Sequence, residues 1–141
     1  MAEIIHSVPM KASAAQVFRA ITAPPGLSGG FARDGKVGPK IDSFAEFRFG
    51  DGKLVAKMRV AELEDGAHVA WTCIEGPADW IGTEVTFDLA QQGEETMVRF
   101  RHRHWREVSE FMGLCSAKWA LLLFSLKSLI ETPEPDDLYI G

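Results

Sequence analysis

Between Phe44 and His104 apolar and polar side chains alternate with a period of two, and beyond Val108 the apolar spacing changes to three and four. The first period belongs to strands with one covered face. The second belongs to a helix with one covered stripe. Short turn sequences cut the alternating half at Gly50-Asp-Gly52, Glu64-Asp-Gly66 and Gln91 to Glu94. Glycine takes the positive φ that tight turns need, and links this short join neighbouring antiparallel strands. Strands are therefore expected at 44–49, 54–62, around Val69, Trp71 and Cys73, at 83–89 and at 96–104. Ala45, Phe47 and Phe49 fall on one face of the first. Leu54, Ala56, Met58 and Val60 point inward on the second, with Glu62 the only inward carboxylate. Val85, Phe87 and Leu89 point inward on the fourth, and Val98, Phe100, His102 and His104 share a face on the last.

The N-terminal segment adds a strand over 3–10, with Ile4, His6, Val8 and Met10 on one face. Ser13 is placed to cap a short helix running to about Thr22, with Val17, Ala20 and Ile21 as its stripe. Pro24, Pro25 and Gly26 end that helix, and a glycine-rich connection follows to Pro39. At the other end, Met112, Cys115, Trp119, Leu122, Leu126 and Leu129 mark the covered face of one long helix, with Ser109 as its cap and Pro133 as its stop. A run of antiparallel strands with helices gathered on one face is an α+β layer architecture, and the long helix must lie across the sheet. One domain over 1–133 and an acidic tail over 134–141 account for the 141 residues.

The formal net charge of -5 disfavours nucleic-acid binding, which depends on neutralising phosphates with Lys and Arg. The one basic run, Arg99-Phe-Arg-His-Arg103, is short. The longest apolar run, Trp119 to Phe124, is too short to span a bilayer, so no membrane insertion is expected. Cys73 and Cys115 fit neither a disulfide framework nor a zinc ribbon and read as buried free thiols. With no basic segment leading into an apolar one at the start, a cytoplasmic location is expected.

Several stretches resemble the START-like superfamily of polyketide cyclases and pollen-allergen-type ligand carriers. They are Val8-Pro-Met10 with Ala15 to Thr22, Phe44 to Gly52, Val60 to Glu64, Val69-Ala-Trp71, Thr83 to Phe87, Thr96 to His104, and Lys118-Trp119 with Leu122, Leu126 and Lys127. Within that superfamily they look like the branch named after the activator of the ninety-kilodalton heat-shock chaperone's ATPase. The resemblance implies a helix-grip fold, in which a curved antiparallel sheet wraps around a long C-terminal helix with a cavity between them. It also names three functions: carriage of a small apolar or aromatic molecule, cyclase- or dehydratase-like catalysis in the same cavity, or partnership with a chaperone. Where the branch has a tryptophan after the first helix, this chain reads Leu27-Ser-Gly-Gly-Phe31.

The candidate lining of such a cavity is Phe31, Phe47, Phe49, Met58, Trp71, Trp80, Phe87, Phe100, His104, Cys115 and Trp119. Large flat side chains like these either line a pocket or simply fill a core. Phe31, beside Gly29 and Gly30, and Trp80 in a loop are placed at the mouth, although Trp80 serves equally as a plug. His104 is the expected polar contact, and the base if the protein is an enzyme. His102 and His104 have the spacing to share a metal, but no third ligand accompanies them, so neither metal nor cofactor is expected. His6, among apolar neighbours, reads as a hydrogen-bonded core histidine. There is no phosphate-binding loop, nucleophile elbow or metalloprotease helix motif. A homodimer is compatible with all of this.

Overall fold

The computed structural model describes residues 2–22, 41–48 and 54–131, without the side chains of 45–48 and 54–55. The elements follow in the order β1 (Ala2–Met10), α1 (Ala14–Thr22), β2 (Phe44–Arg48), β3 (Leu54–Glu64), β4 (His68–Glu75), β5 (Glu84–Gln92), β6 (Glu95–Trp105) and α2 (Glu110–Glu131). The strands form one six-stranded antiparallel sheet in the order β1-β6-β5-β4-β3-β2. The N-terminal strand thus pairs with the last one, and α2 returns across β1. This is the expected α+β helix-grip arrangement.

Local chemistry sets the helix ends. The backbone N–H of Gln16 donates to Ser13 Oγ at 3.1 Å, and Gln16 Oε1 accepts the Ser13 N–H at 3.0 Å. This reciprocal pair is a capping box. Ser109 caps α2 in the same manner, accepting the Met112 N–H at 3.1 Å. The far end of α2 is tied to the end of β1. Lys127 Nζ donates to the Pro9 carbonyl at 2.9 Å, and Glu131 accepts the Lys11 N–H at 2.8 Å. Two of the three expected turns, at Gly66 and Gly93, have glycine at φ 71° and 64°. The third, at 50–52, lies outside the described residues, as do Pro24 to Pro39, Pro133 and the 134–141 tail.

The inward alternation holds through Ala56, Met58, Val60, Val69, Trp71, Val85, Phe87, Val98 and Phe100, all fully buried. It fails at three places, each for a local reason. Glu62 is exposed, because a register shift between Val60 and Glu62 inserts a bulge that reverses the parity, and Leu63 packs inward instead. Glu62 stands instead beside His68 on the outer face, and His68 Nδ1 lies 2.6 Å from Asp88. Leu129 is exposed, and Ile130 packs against the core in its place. A stripe spaced by alternating threes and fours repeats every 3.5 residues on average and drifts about 20° per heptad around a straight helix. Ile130, about five turns after Met112 at 3.6 residues per turn, returns to the covered face. The third failure is at His104.

By length and composition α2 also meets the requirements of a membrane-spanning helix. One of its faces, through Met112, Cys115, Trp119, Leu122, Leu123 and Leu126, is part of the sheet's core. Trp119 is at the centre of that contact and 1% exposed. Trp119→Ala should therefore cost roughly 3–5 kcal/mol in urea unfolding, as large-to-small core changes do. A loss within about 0.5 kcal/mol, typical of surface positions, would contradict this packing.

Candidate functional site

The space between the sheet and the first half of α2 holds a run of aromatic rings. Phe87 meets Trp71 and Phe100 edge-on, at 5.3 and 5.4 Å between centroids. Phe100 lies 4.7 Å from Trp119, and Trp119 stacks on Trp80 at 5.8 Å. Edge-on and offset arrangements like these let the positive ring edges meet the negative faces. Trp80 is 4% exposed, so it is a plug that pins the β4–β5 connection to the core. Its indole N–H points at Cys115 Sγ, 3.4 Å away. Met58 is fully buried on β3, and Cys115 is buried on α2. Phe31 and Phe49 lie outside the described residues. Phe47 is described by its backbone alone, which pairs with Ala56.

The histidines on β6 exchange roles relative to the sequence reading. His104 is exposed, with φ at 74°. This left-handed residue breaks the alternation, so Trp105 turns inward in its place. His104 is therefore a surface residue and does not reach the space between sheet and helix. His102 and His104 face different surroundings and do not converge on one ion. Among the described residues no three His, Cys, Asp or Glu side chains gather as a metal-ligand set. No local signal marked the switch, except that Trp105 is a large apolar side chain at the wrong parity.

His102 is fully buried and held on both ring nitrogens. Trp119 Nε1 donates to His102 Nδ1 at 3.2 Å. An indole nitrogen can only donate, so Nδ1 is the acceptor and the proton sits on Nε2. Nε2–H then donates to Thr83 Oγ1 at 2.7 Å, and the Thr83 hydroxyl passes its own hydrogen to the Trp80 carbonyl oxygen. One relay of three hydrogen bonds thus joins α2, β6 and the β4–β5 connection. Rings enclose it, with Trp80 5.0 Å and Trp105 4.8 Å from the imidazole. Burial among them lowers the His102 pKa to about 3. Burial likewise pushes the Cys73 thiol up to about 11 and the Cys115 thiol upward. These groups stay neutral near pH 7, which suits a packed polar anchor and not an acid–base pair.

Three buried donors remain without partners among the described residues: the Trp105 indole N–H, the Ser125 hydroxyl and Arg103 Nε. Trp105 is 1% exposed and lies between His102 and Phe111, at the end of the space where α2 begins. His6 is satisfied, with Nε2 3.1 Å from the Ser116 carbonyl and its ring stacked on Phe100. On the outer face of β6, Arg103 pairs with Glu84 at 2.6 Å, so the basic run is partly neutralised.

The unfolded chain carries the His102 imidazole near its ordinary pKa of 6.5, and the folded chain near 3. Between these values the unfolded state binds a proton that the folded state refuses. The contribution to stability is complete above about pH 6.5 and is lost as pH falls toward 3. The slope from this group approaches about 1.4 kcal/mol per pH unit. Urea unfolding of the parent and His102→Phe from pH 7.5 down to about 4.5 should show the gap between them narrowing as pH falls. A constant gap would show that His102 titrates normally in the fold.

The profile of the Activator of Hsp90 ATPase homolog 1-like protein family matches residues 11–131. No curated protein matches the chain. Among solved structures, the Aha1 dimer from Colwellia psychrerythraea is 34% identical, with a TM-score of 0.84 over 95% of this chain and 99% of that one. Protein MLL2253 from Mesorhizobium loti is 14% identical, with a TM-score of 0.80 over 94% and 99%. CalU16 from Micromonospora echinospora is 18% identical, with a TM-score of 0.73 over 96% and 79%. The last two show the fold alone. With a matching profile over most of its length and a full-length relative at 34% identity, this chain belongs to the Activator of Hsp90 ATPase homolog 1-like branch of the START-like superfamily.

Proposed function

We propose that this chain binds a small, largely apolar molecule carrying one hydrogen-bond acceptor, between the concave sheet face and α2. The observation that carries this reading is the unpartnered Trp105 N–H. A buried donor without an acceptor costs about 1–3 kcal/mol, and folded proteins retain few of them. A ligand oxygen near Trp105 removes that cost, while the rings of Phe111, Trp119 and Phe100 supply flat apolar contact. Membership in a superfamily built around such a space supports the same reading. The cyclase-like alternative is weaker. His104, its expected base, is on the surface, and both ring nitrogens of His102 are already committed. The buried thiols of Cys73 and Cys115 suit a reducing compartment, so the reading carries a cytoplasmic location.

A second reading, association with another protein, is favoured by a different observation. Leu114, Leu121 and Phe124 are exposed together on α2. The Colwellia relative is described as a dimer in solution, and self-association is the form of this reading proposed here. A chaperone partner, which the family's description brings to mind, would use the same kind of surface.

Titration calorimetry with 2-naphthol and naphthalene tests the ligand reading. Both should bind saturably, with 2-naphthol tighter by roughly 2- to 10-fold, the worth of one hydrogen bond. Trp105→Phe should abolish that preference and leave naphthalene binding in place. An unchanged preference would remove Trp105 from the site. No saturable binding of either probe would leave a packed core and sink the proposal.

A further inference from the structure

The outer face of α2 carries apolar residues at 114, 117, 121 and 124, a spacing of three, four and three. Leu114, Leu121 and Phe124 are 53%, 49% and 51% exposed, and Ala117 is exposed between them. Gly113, at one end of the row, is equally open, since a Cβ placed there meets nothing within 4 Å. The opposite face of α2 is in the core, so this helix is apolar on both sides while, among the described residues, only one side is covered. Helices apolar all round are found where both sides are covered. No charged side chain falls on the row, in a chain whose charged residues make up 25% of the whole.

We propose that a second copy of this chain covers the row, with the two α2 helices packed antiparallel about a two-fold axis between Ala117 and Leu121. This deepens the self-association reading above and rests on it. The spacing is that of a coiled-coil seam, whose residues stay aligned along a partner helix. The row is also self-complementary. In the antiparallel arrangement Leu114 of one copy meets Phe124 of the other, and Ala117 meets Leu121. Small faces large at the centre, where the helices come closest, and large faces large at the ends. An isologous contact requires this kind of match, because each side presents the same patch. Two copies with a net charge of -5 each repel one another, and an uncharged row is where that repulsion is least. The row spans about 15 Å at 1.5 Å per residue. That is small beside the roughly 800 Å² per partner of stable interfaces, so the dimer should dissociate on dilution.

Sedimentation velocity from about 1 μM to about 1 mM tests this, a range that brackets weak dimers. The parent should pass from monomer to dimer. Leu121→Lys and Ala117→Glu, both at exposed positions, should each raise the dimer dissociation constant by about 30-fold or more while circular dichroism stays unchanged. Mixing the two variants should restore association, because Lys at 121 then meets Glu at 117 of the other copy. A parent that stays monomeric throughout overturns both the self-association reading and this interface. A dimer that survives Leu121→Lys, or that is lost instead with Ile5→Lys on the edge strand β1, overturns the interface and leaves self-association standing. Failure of the mixture to associate also overturns the antiparallel arrangement. A parent that stays monomeric and co-sediments with phosphatidylcholine vesicles, an association lost in Leu121→Lys, would assign the row to a membrane and overturn it too.

Discussion

The relay from Trp119 through His102 and Thr83 to the Trp80 carbonyl holds the architecture in one register. Its first two hydrogen bonds join α2 to β6 and β6 to the β4–β5 connection, the third closes that connection on itself, and the imidazole at its centre is enclosed by aromatic rings. In so apolar a place an unmet polar group is costly, so the three bonds stand or fall together. The relay fixes how far α2 reaches along β6. It also draws the β4–β5 connection inward until Trp80 stacks on Trp119. Backbone hydrogen bonds complete that connection, from Cys73 N–H to the Thr83 carbonyl and from Gly82 N–H back to the Cys73 carbonyl. The apolar rings supply the bulk of the burial, and the relay makes only one arrangement of them acceptable.

The order of elements was legible because hydrophobic period is a direct imprint of geometry. A change from two to three-and-four can hardly mean anything but strands followed by a helix. Period also located Ala56, Met58, Val60, Phe87 and Phe100 on the covered face. It could not foresee the points where the backbone leaves the ideal repeat. One residue in the left-handed region at His104 exchanged His104 for Trp105, and one bulge exchanged Glu62 for Leu63. Both events cost little locally, since histidine tolerates positive φ better than most side chains and a bulge only adds twist. Their consequence is large, because parity decides which chemistry faces inward. The inward set was misread at the strand end, where one residue's backbone decides whether His104 or Trp105 is covered. The drift of the helical stripe from Leu129 to Ile130 is a similar case, a small mismatch of period that accumulates with length.

Exchanging His104 for Trp105 changes what the interior can do. An inward histidine near the strand end would have offered a base beside an apolar space. The interior instead holds an imidazole kept neutral by burial, thiols kept protonated, and an indole N–H that can only donate. Such a set can orient a molecule that accepts a hydrogen bond, but it moves no proton near neutral pH. Polarity in this interior therefore holds side chains in place, and the Trp105 donor is the one group on which the proposed ligand reading rests.

The two faces of α2 place opposite demands on one helix. Its inner face is fixed by Trp119 and its relay partner. Its outer face bears large apolar side chains that contribute nothing to the core described here. A chain free to optimise solubility alone would set charges there, since exposed helix positions accept Lys and Glu at no packing cost. Apolar side chains on that surface are mildly unfavourable for the isolated molecule and favourable only once something covers them. Because the helix is tied to β6 through Trp119 and to the end of β1 through Lys127 and Glu131, the outer face is presented on a rigid element. Little ordering then remains to be done when a partner arrives, which is the condition under which a small apolar seam suffices for association.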